Sequence, residues 1–537
     1  MLAGVGDEHE ASIDITRRSL LVGTGAALIA FMAGCSGDDA GGGATTVPAD
    51  DTTPRPAPDL SGDPFTLGVA SGDPLPSAIV LWTRLAPEPL ADDGLGGMPG
   101  EEVDVAWEVA RDEGFTDVVR SGVAVATPDH AHSVHADVDG LDPATDYYYR
   151  FTVGEHTSPV ARTRTLPDGA PDALGLAIVN CQWYETGTYA AYRHLLDEEV
   201  DLVLHLGDYI YEFPSSGGAG RTTVPVHAVE TLADYRLRYA SYALDEDLRN
   251  AHHRFPFMLT WDDHEVSNNY SGDGLVEQPD SPQAGQERKT AAYQAWWEHL
   301  PVRVGPPDGG ELVVNRFVDV GDLARIYLLD ERQFSDVPPC RDGDPEAEDF
   351  GDCAERLEDR TLLGADQEAW FTEASGSSTA TWNLIGNPVV LGGIDGGNDT
   401  DGAAYYLDTW DGYPTARHRF IEQLAAIDNP VVLTGDYHAG MLIDVHERPF
   451  EPDTAIVATE LMSPAISSPL FPADVTERSP HVRRQLNGHG YLVLDVTPDR
   501  VHASFRVLDD VSDPASAIST PLACAIDAGS PAATIDA

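Results

Sequence analysis

Between residues 167 and 510, short apolar runs alternate with stretches of helical pattern, and four of those runs stop abruptly at residues able to bind a metal. The alternation predicts strands and helices laid down in layers, an α/β domain. The runs are Leu174–Val179, Leu202–Leu206, Phe257–Thr260, Arg325–Leu329, Trp382–Ile385 and Val431–Thr434. Helices are expected over Thr188–Glu199, Thr231–Tyr242, Arg288–Leu300, Asp366–Thr372 and Ala416–Ile427. The first run leads into Asn180-Cys181-Gln182, and the second into Gly207-Asp208-Tyr209-Ile210-Tyr211-Glu212. The third leads into Asp262-Asp263-His264-Glu265 with Asn268 and Asn269 close behind, and the last into Gly435-Asp436-Tyr437-His438. One Gly-Asp after a strand is an ordinary turn. Four strand ends carrying thiol, phenol, carboxylate and imidazole point to one site, because ligands collect outside the carboxyl ends of an open α/β sheet.

The ligand types divide by softness. Thiolate, phenolate and imidazole suit a transition metal, so Cys181, Tyr211 and His438 form one set; Asp263, Asn268 and Asp436 offer oxygen to a harder ion. Asp208 stands where it could bridge them. Asp263 and Asn268 compete for the same role within their segment. His264, beside two aspartates, is a candidate proton donor to a leaving group or a hydrogen-bond donor to a substrate oxygen.

Charge narrows the partners. The 537 residues hold 32 basic and 90 acidic side chains, a net charge of −58, and Lys289 is the only lysine. A polyanion would meet a repelling field, so no nucleic-acid partner is expected. Such a surface fits a saline habitat, where molar salt shortens the Debye length to about 3 Å. Arg17-Arg18 precedes an apolar run from Leu20 to Ala33, too short for a bilayer of about 30 Å, so residues 1–35 read as a twin-arginine export signal. Met32-Ala33-Gly34-Cys35 resembles a lipobox, with Cys35 as a lipid anchor and residues 36–60 as a flexible linker. Cys340 and Cys353 flank a short acidic loop and are expected to pair outside the cell. Residues 61–166 read as short strands between Gly, Pro and Asp turns, a small all-β sandwich. Its His130, His132 and His135 read as a solvated strand edge rather than a metal cluster. Residues 511–537 read as a frayed tail.

The order of the four motifs resembles that of binuclear metallophosphoesterases, Asp-x-His, Gly-Asp-x-x-Tyr, Gly-Asn-His-Glu and Gly-His-x-His. Three departures, Asn180-Cys181 first, Asp262-Asp263-His264-Glu265 third and Gly435-Asp436-Tyr437-His438 fourth, are similar to the PhoD-type alkaline phosphatase/phosphodiesterase family. Leu67-Gly68-Val69-Ala70-Ser71-Gly72-Asp73-Pro74, Val80-Leu81-Trp82-Thr83-Arg84-Leu85 and Trp410-Asp411-Gly412-Tyr413-Pro414 extend the likeness. The resemblance implies a four-layer α/β sandwich, two central sheets flanked by helices, over residues 167–510, with a fibronectin- or Ig-like N-terminal domain. It implies one Fe³⁺ on Cys181, Tyr211 and His438, and one or more Ca²⁺ on Asp263, Asn268 and Asp436. A hydroxide between the metals would attack phosphorus in line in a phosphomonoester or phosphodiester. Arg236, Arg238 and Arg332 are candidates for clamping the phosphate, with Arg238 put forward for the catalytic set beside His264 and Asp208. The protein is expected to leave the cell through the twin-arginine machinery and to work as a monomer.

Other classes compete with this expectation. A nucleophilic-cysteine hydrolase would need a base and an anion loop beside Cys181. A non-catalytic surface protein would use the carboxylates only to bind Ca²⁺, and a phospholipase D-like phosphodiesterase would share the site but differ in substrate.

Overall fold

The computed structural model describes residues 54–272, 282–340, 350–397, 403–471 and 473–536. The twin-arginine run and Cys35 lie outside them. Two large sheets dominate. The first has ten strands in the order Thr534–Ile535, Ile518–Asp527, Arg500–Leu508, Gly490–Val496, Leu174–Val179, Leu202–Leu206, Pro256–Thr260, Val69–Gly72, Ala78–Arg84 and Ser133–Asp139. The second has seven: Arg316–Val320, Ala324–Leu328, Trp382–Asn387, Pro430–Thr434, Ile456–Met462, Gly440–His446 and Val482–Leu486.

All six apolar runs of the sequence form strands at the centre of these sheets. Apart from the half-buried Gly175 they are buried throughout, as parallel strands covered on both faces must be. One apolar cluster joins the sheets, with Ile178, Leu204, Leu206 and Met258 from the first meeting Ile326, Leu328, Leu384, Leu433 and Leu461 from the second. Another joins the first sheet to helices Ala190–Leu195, Leu232–Ala243, Glu246–Arg254 and Pro282–His299. A third joins the second sheet to Gly364–Gly376 and Pro414–Leu424. Thr231 starts its helix with a reciprocal capping box to Asp234. The helix Glu246–Arg254 was not anticipated: it is amphipathic but short and rich in charge, with only Leu248, Ala251 and His252 buried, and its start is marked by the Asp245 cap.

The N-terminal segment departs from a self-contained sandwich. Five strands between Val103 and Arg164 form a separate sheet, but Val69–Gly72, Ala78–Arg84 and Ser133–Asp139 extend the ten-stranded sheet instead. Val69–Gly72 pairs in parallel with Pro256–Thr260, so the second face of the small β-core is the edge of the large sheet. His135 is not a solvated edge residue: it stacks on Trp297 at 4.3 Å and its Nε2 lies 2.9 Å from the Leu300 carbonyl. The expected linker also ends early, since Arg55 is held by Asp104 at 2.7 Å and Leu60 packs on the β-core.

The expected C-terminal fraying is overturned too. Ile518–Asp527 pairs with Arg500–Leu508 and carries Leu522, Cys524 and Ile526 into the inter-sheet cluster. Their alternation was the signal of a half-buried strand. Cys340 and Cys353 form a disulfide with a Cα–Cα distance of 5.8 Å. Among the described residues, no helix is long and apolar enough to cross a membrane.

Ile526 tests the role of the C-terminal strand. Ile526→Ala should lower unfolding free energy by about 2–5 kcal/mol, measured by denaturant titration; an unchanged midpoint would return this segment to the status of a tail.

Candidate metal centre and active site

The strands Leu174–Val179, Leu202–Leu206 and Pro256–Thr260 run parallel in adjacent positions, with Leu204 opposite Ile178 and Leu206 opposite Thr260. Their carboxyl ends therefore open side by side. The loop after Ile456–Met462 ties the second sheet to this edge: Ser463 N donates to the Thr434 carbonyl at 2.9 Å and Ser463 Oγ to the Ile178 carbonyl at 2.8 Å. Gly435 lies so close that a Cβ there would sit 3.1 Å from Asn180 Cβ. The four motif-bearing strand ends meet in one buried place.

Each chain must turn sharply as it leaves its strand. Cys181, Asp208, Asn269, Asp436 and His438 all have left-handed backbone, with φ between 52° and 62°, which costs about 1–3 kcal/mol for a residue with a Cβ. Gly207, at φ 108°, could not be anything larger, because its Cβ would lie 2.5 Å from the Asp262 backbone nitrogen. Backbone bonds hold the turns, Cys181 N to Gly207 O at 3.2 Å and Gln182 N to Asp208 O at 3.1 Å. Glu265 is a clamp, accepting Tyr209 N at 2.6 Å on one oxygen and Asp262 N at 3.0 Å on the other.

Ligand atoms of Cys181, Asp208 and His438 lie within 4.8 Å of one another, and so do those of Asp208, Asp263 and His264. Asp208 belongs to both groups. Its Oδ2 accepts Tyr211 OH at 2.6 Å, and His438 Nε2 is 3.9 Å away. The Tyr211 oxygen is 3.2 Å from His438 Nε2 and 2.8 Å from Ser468 Oγ. Asp263 Oδ2 accepts Asn269 N at 2.6 Å, and Asp436 Oδ1 is 3.4 Å from Tyr406 OH. Asn268 is half-buried, and its backbone nitrogen donates to Glu212 Oε1 at 2.6 Å.

Electrostatics sharpen the picture. Burial pushes the Cys181 thiol up, and the carboxylates of Asp208, Asp436 and Asp262 push it further. Burial raises Tyr211 as well, with Asp208 and Cys181 adding to it. For Asp208 the burial penalty is overcome by His264 and His438, which hold it below the usual carboxylate range. Burial would lower His264, but Asp263, Glu212 and Asp208 overrule it and hold the imidazole well above its ordinary value.

With this geometry in place, comparison with known proteins is decisive. Residues 176–505 match the model of the PhoD-like phosphatase family, and residues 51–167 match its N-terminal domain. The chain belongs to the PhoD-like phosphatase family. It is 42% identical over 482 residues to alkaline phosphatase D of Bacillus subtilis strain 168, covering 86% of this chain and 81% of that protein. A solved structure of PhoD superposes with a TM-score of 0.84 at 40% identity, covering 90% of this chain and 94% of that one. This PhoD-like phosphatase is a phosphoester hydrolase.

Each candidate arginine of the phosphatase has protein partners. Arg238 is buried in contact with carbonyls, donating to those of Tyr211, Phe213 at 3.0 Å, Pro225 at 3.0 Å and His227 at 3.4 Å. It pins the 211–227 loop, so its place in the catalytic set is corrected. Arg236 is bound by both oxygens of Glu298, at 2.6 and 2.7 Å. Arg332 joins Asp262 at 2.5 Å and Asp408 at 2.6 Å, and lies 3.9 Å from Asp263. It holds Asp262 and Asp408 through Nε and Nη1, while its buried Nη2 has no hydrogen-bond partner. Ser468, Glu212, Glu265 and Asp408 had no assigned role in the sequence. Glu212 and Glu265 sit next to named ligands, and that adjacency was the available signal; Ser468 and Asp408 had none.

Gly207→Ala should abolish phosphatase activity while the far β-core stays folded. Circular dichroism beside a rate assay checks this, and wild-type turnover in the variant would show that the Asp208 loop tolerates displacement.

Proposed function

We propose that this phosphoester hydrolase works at a mixed centre of one Fe³⁺ and one or more Ca²⁺, acting on phosphomonoesters or phosphodiesters. The observation that carries the reading is the donor set gathered around Asp208. A thiol, a phenol and an imidazole crowd one side, and carboxylates the other, all buried. Asp208 Oδ1, Asp262 Oδ2 and Asp436 Oδ2 are buried oxygens without a hydrogen-bond donor. So many acids in a dry pocket are stable only with compensating positive charge, and the residues fit a pair of cations.

Cys181, Tyr211 and His438 would hold iron, Asp263, Asn268 and Asp436 calcium, and Asp208 would face both. Bound there, the ions supply Lewis acidity toward phosphoryl oxygens and a water acidic enough to act as nucleophile at working pH. The chain's own part is positioning. The Pro469 carbonyl, 2.6 Å from His438 Nδ1, fixes that nitrogen as the protonated one and leaves Nε2 as a ligand. Ser468 Oγ, itself held by Trp183 N at 3.1 Å, sets the Tyr211 oxygen. Trp183 stacks on the Tyr211 ring at 5.0 Å and keeps the phenol from turning. His264, on the Asp263 side, supplies a proton to the departing alkoxide.

The same reading extends outward. The two sheets and their three clusters support a four-layer α/β sandwich, and the five-stranded sheet facing the large sheet's edge supports an Ig-like module. Arg17-Arg18 and the apolar run after them support twin-arginine export, with Cys35 as a surface anchor. The net charge of −58 supports a saline habitat.

Elemental analysis and a visible absorption band test the centre. Purified enzyme should contain iron and calcium and show a charge-transfer band, and Cys181→Ala or Asp208→Asn should lose metal and turnover together. Full activity in a colourless, iron-free preparation would overturn the assignment.

A further inference from the structure

We infer that Glu212 is a positioning residue for His264, holding the imidazole by Nδ1 so that Nε2 faces the oxygen leaving phosphorus. This rests on the reading of His264 as the leaving group's proton donor.

Glu212 follows Tyr211 on the loop after Leu202–Leu206, and it is 1% exposed. Both carboxylate oxygens are engaged across the site. Oε2 lies 2.8 Å from His264 Nδ1, and Oε1 accepts Asn268 N at 2.6 Å. A carboxylate only accepts, so the hydrogen of that contact resides on Nδ1 and the ring's other nitrogen is left for chemistry. The imidazole cannot swing away, because Tyr211 packs on it at 4.1 Å and Phe213 meets it edge-on at 5.1 Å. One of its nitrogens lies within 4.8 Å of oxygens of Asp208 and Asp263, so the ring stands at the reacting centre. The second bond matters equally: by holding Asn268 N, Glu212 fixes the Asp263–Asn269 turn in the same register as the ring.

The step balances simply. As the oxygen of the attacking water bonds to phosphorus, the ester P–O bond opposite it breaks, its electron pair goes to the departing oxygen, and that oxygen takes the Nε2 proton. A neutral imidazole remains, with Nδ1–H still on Glu212. Only an ester with a basic alkoxide needs that proton; a 4-nitrophenolate leaves without it.

The test compares an alkyl phosphate ester with its 4-nitrophenyl counterpart in metal-loaded enzyme. In Glu212→Gln the amide oxygen can serve only one of the two donors, so the ratio of alkyl to aryl kcat should fall about 10–100-fold. His264→Ala should show the same split, and the double variant should be no worse than His264→Ala alone. Glu212→Asp, one methylene shorter, should give the same split if the Gln variant fails to fold. A Glu212 variant that slows both esters equally, or multiplies the His264→Ala defect, overturns the role of Glu212. A His264→Ala enzyme without the split overturns the proton-donor reading itself.

Discussion

The structure is organised around a concentration of buried acids. Asp208, Asp262, Asp263, Asp436, Cys181 and Tyr211 are each drawn to one place where two sheets meet, and each is nearly or fully sealed from solvent. Desolvation of any one of these groups opposes ionisation, and mutual repulsion adds to it. The protein's own countercharge is small: Arg332 beside Asp262, and the imidazole of His264. Everything else about the site can be read as a way of holding this unfavourable set still.

Backbone geometry does most of that holding. Parallel strands deliver their ends at one edge, but a strand alone would send the chain outward. Left-handed turns at Cys181, Asp208, Asp436 and His438 bend it back over the edge. The conformational cost is offset by bonds made within the turns, notably Glu265 accepting from both the Tyr209 and Asp262 nitrogens. Gly207 follows from the same crowding: two adjacent loops cross where only a hydrogen fits.

Much of this was legible beforehand. Buried parallel strands print continuous apolar runs, so six of them were found, and the polar residues ending four of these marked the site; Ile456–Met462, parallel to Pro430–Thr434 but interrupted by Thr459 and Glu460, was not. What escaped has physical reasons. Strand pairing between distant segments leaves no local trace, so nothing in Val69–Gly72 announces that it joins Pro256–Thr260 and merges the N-terminal strands into the large sheet. The helix Glu246–Arg254 is amphipathic, but it is short and mostly charged, so its narrow apolar face does not stand out as a run. In Ile518–Asp527, small residues such as Ala523 and Ala525 hid the alternation that packs Leu522, Cys524 and Ile526. Arg238 misled because a guanidinium beside a metal motif resembles an anion clamp equally well when it caps carbonyls. Tertiary contact alone separates the two.

The fate of the arginines bears on how an anionic substrate can be held at all. The chain carries −58 overall, so a phosphoester approaches against the field of the whole protein. Surface repulsion of this kind fades beyond about 8 Å at physiological salt and about 3 Å at 1 M, which makes encounter dependent on ionic strength. Inside the pocket screening is weak; Arg236 and Arg238 bind a carboxylate and carbonyls, and Arg332, paired with Asp262 and Asp408, keeps a buried Nη2 without a hydrogen-bond partner. Beyond that one guanidinium nitrogen, attraction for phosphate rests on charge that the acids themselves recruit. The pocket's surplus of carboxylates, hostile to a phosphoester when bare, is what makes it receptive once cations are bound. The same groups that make the apo site hard to fold are the ones that make the loaded site able to bind its substrate.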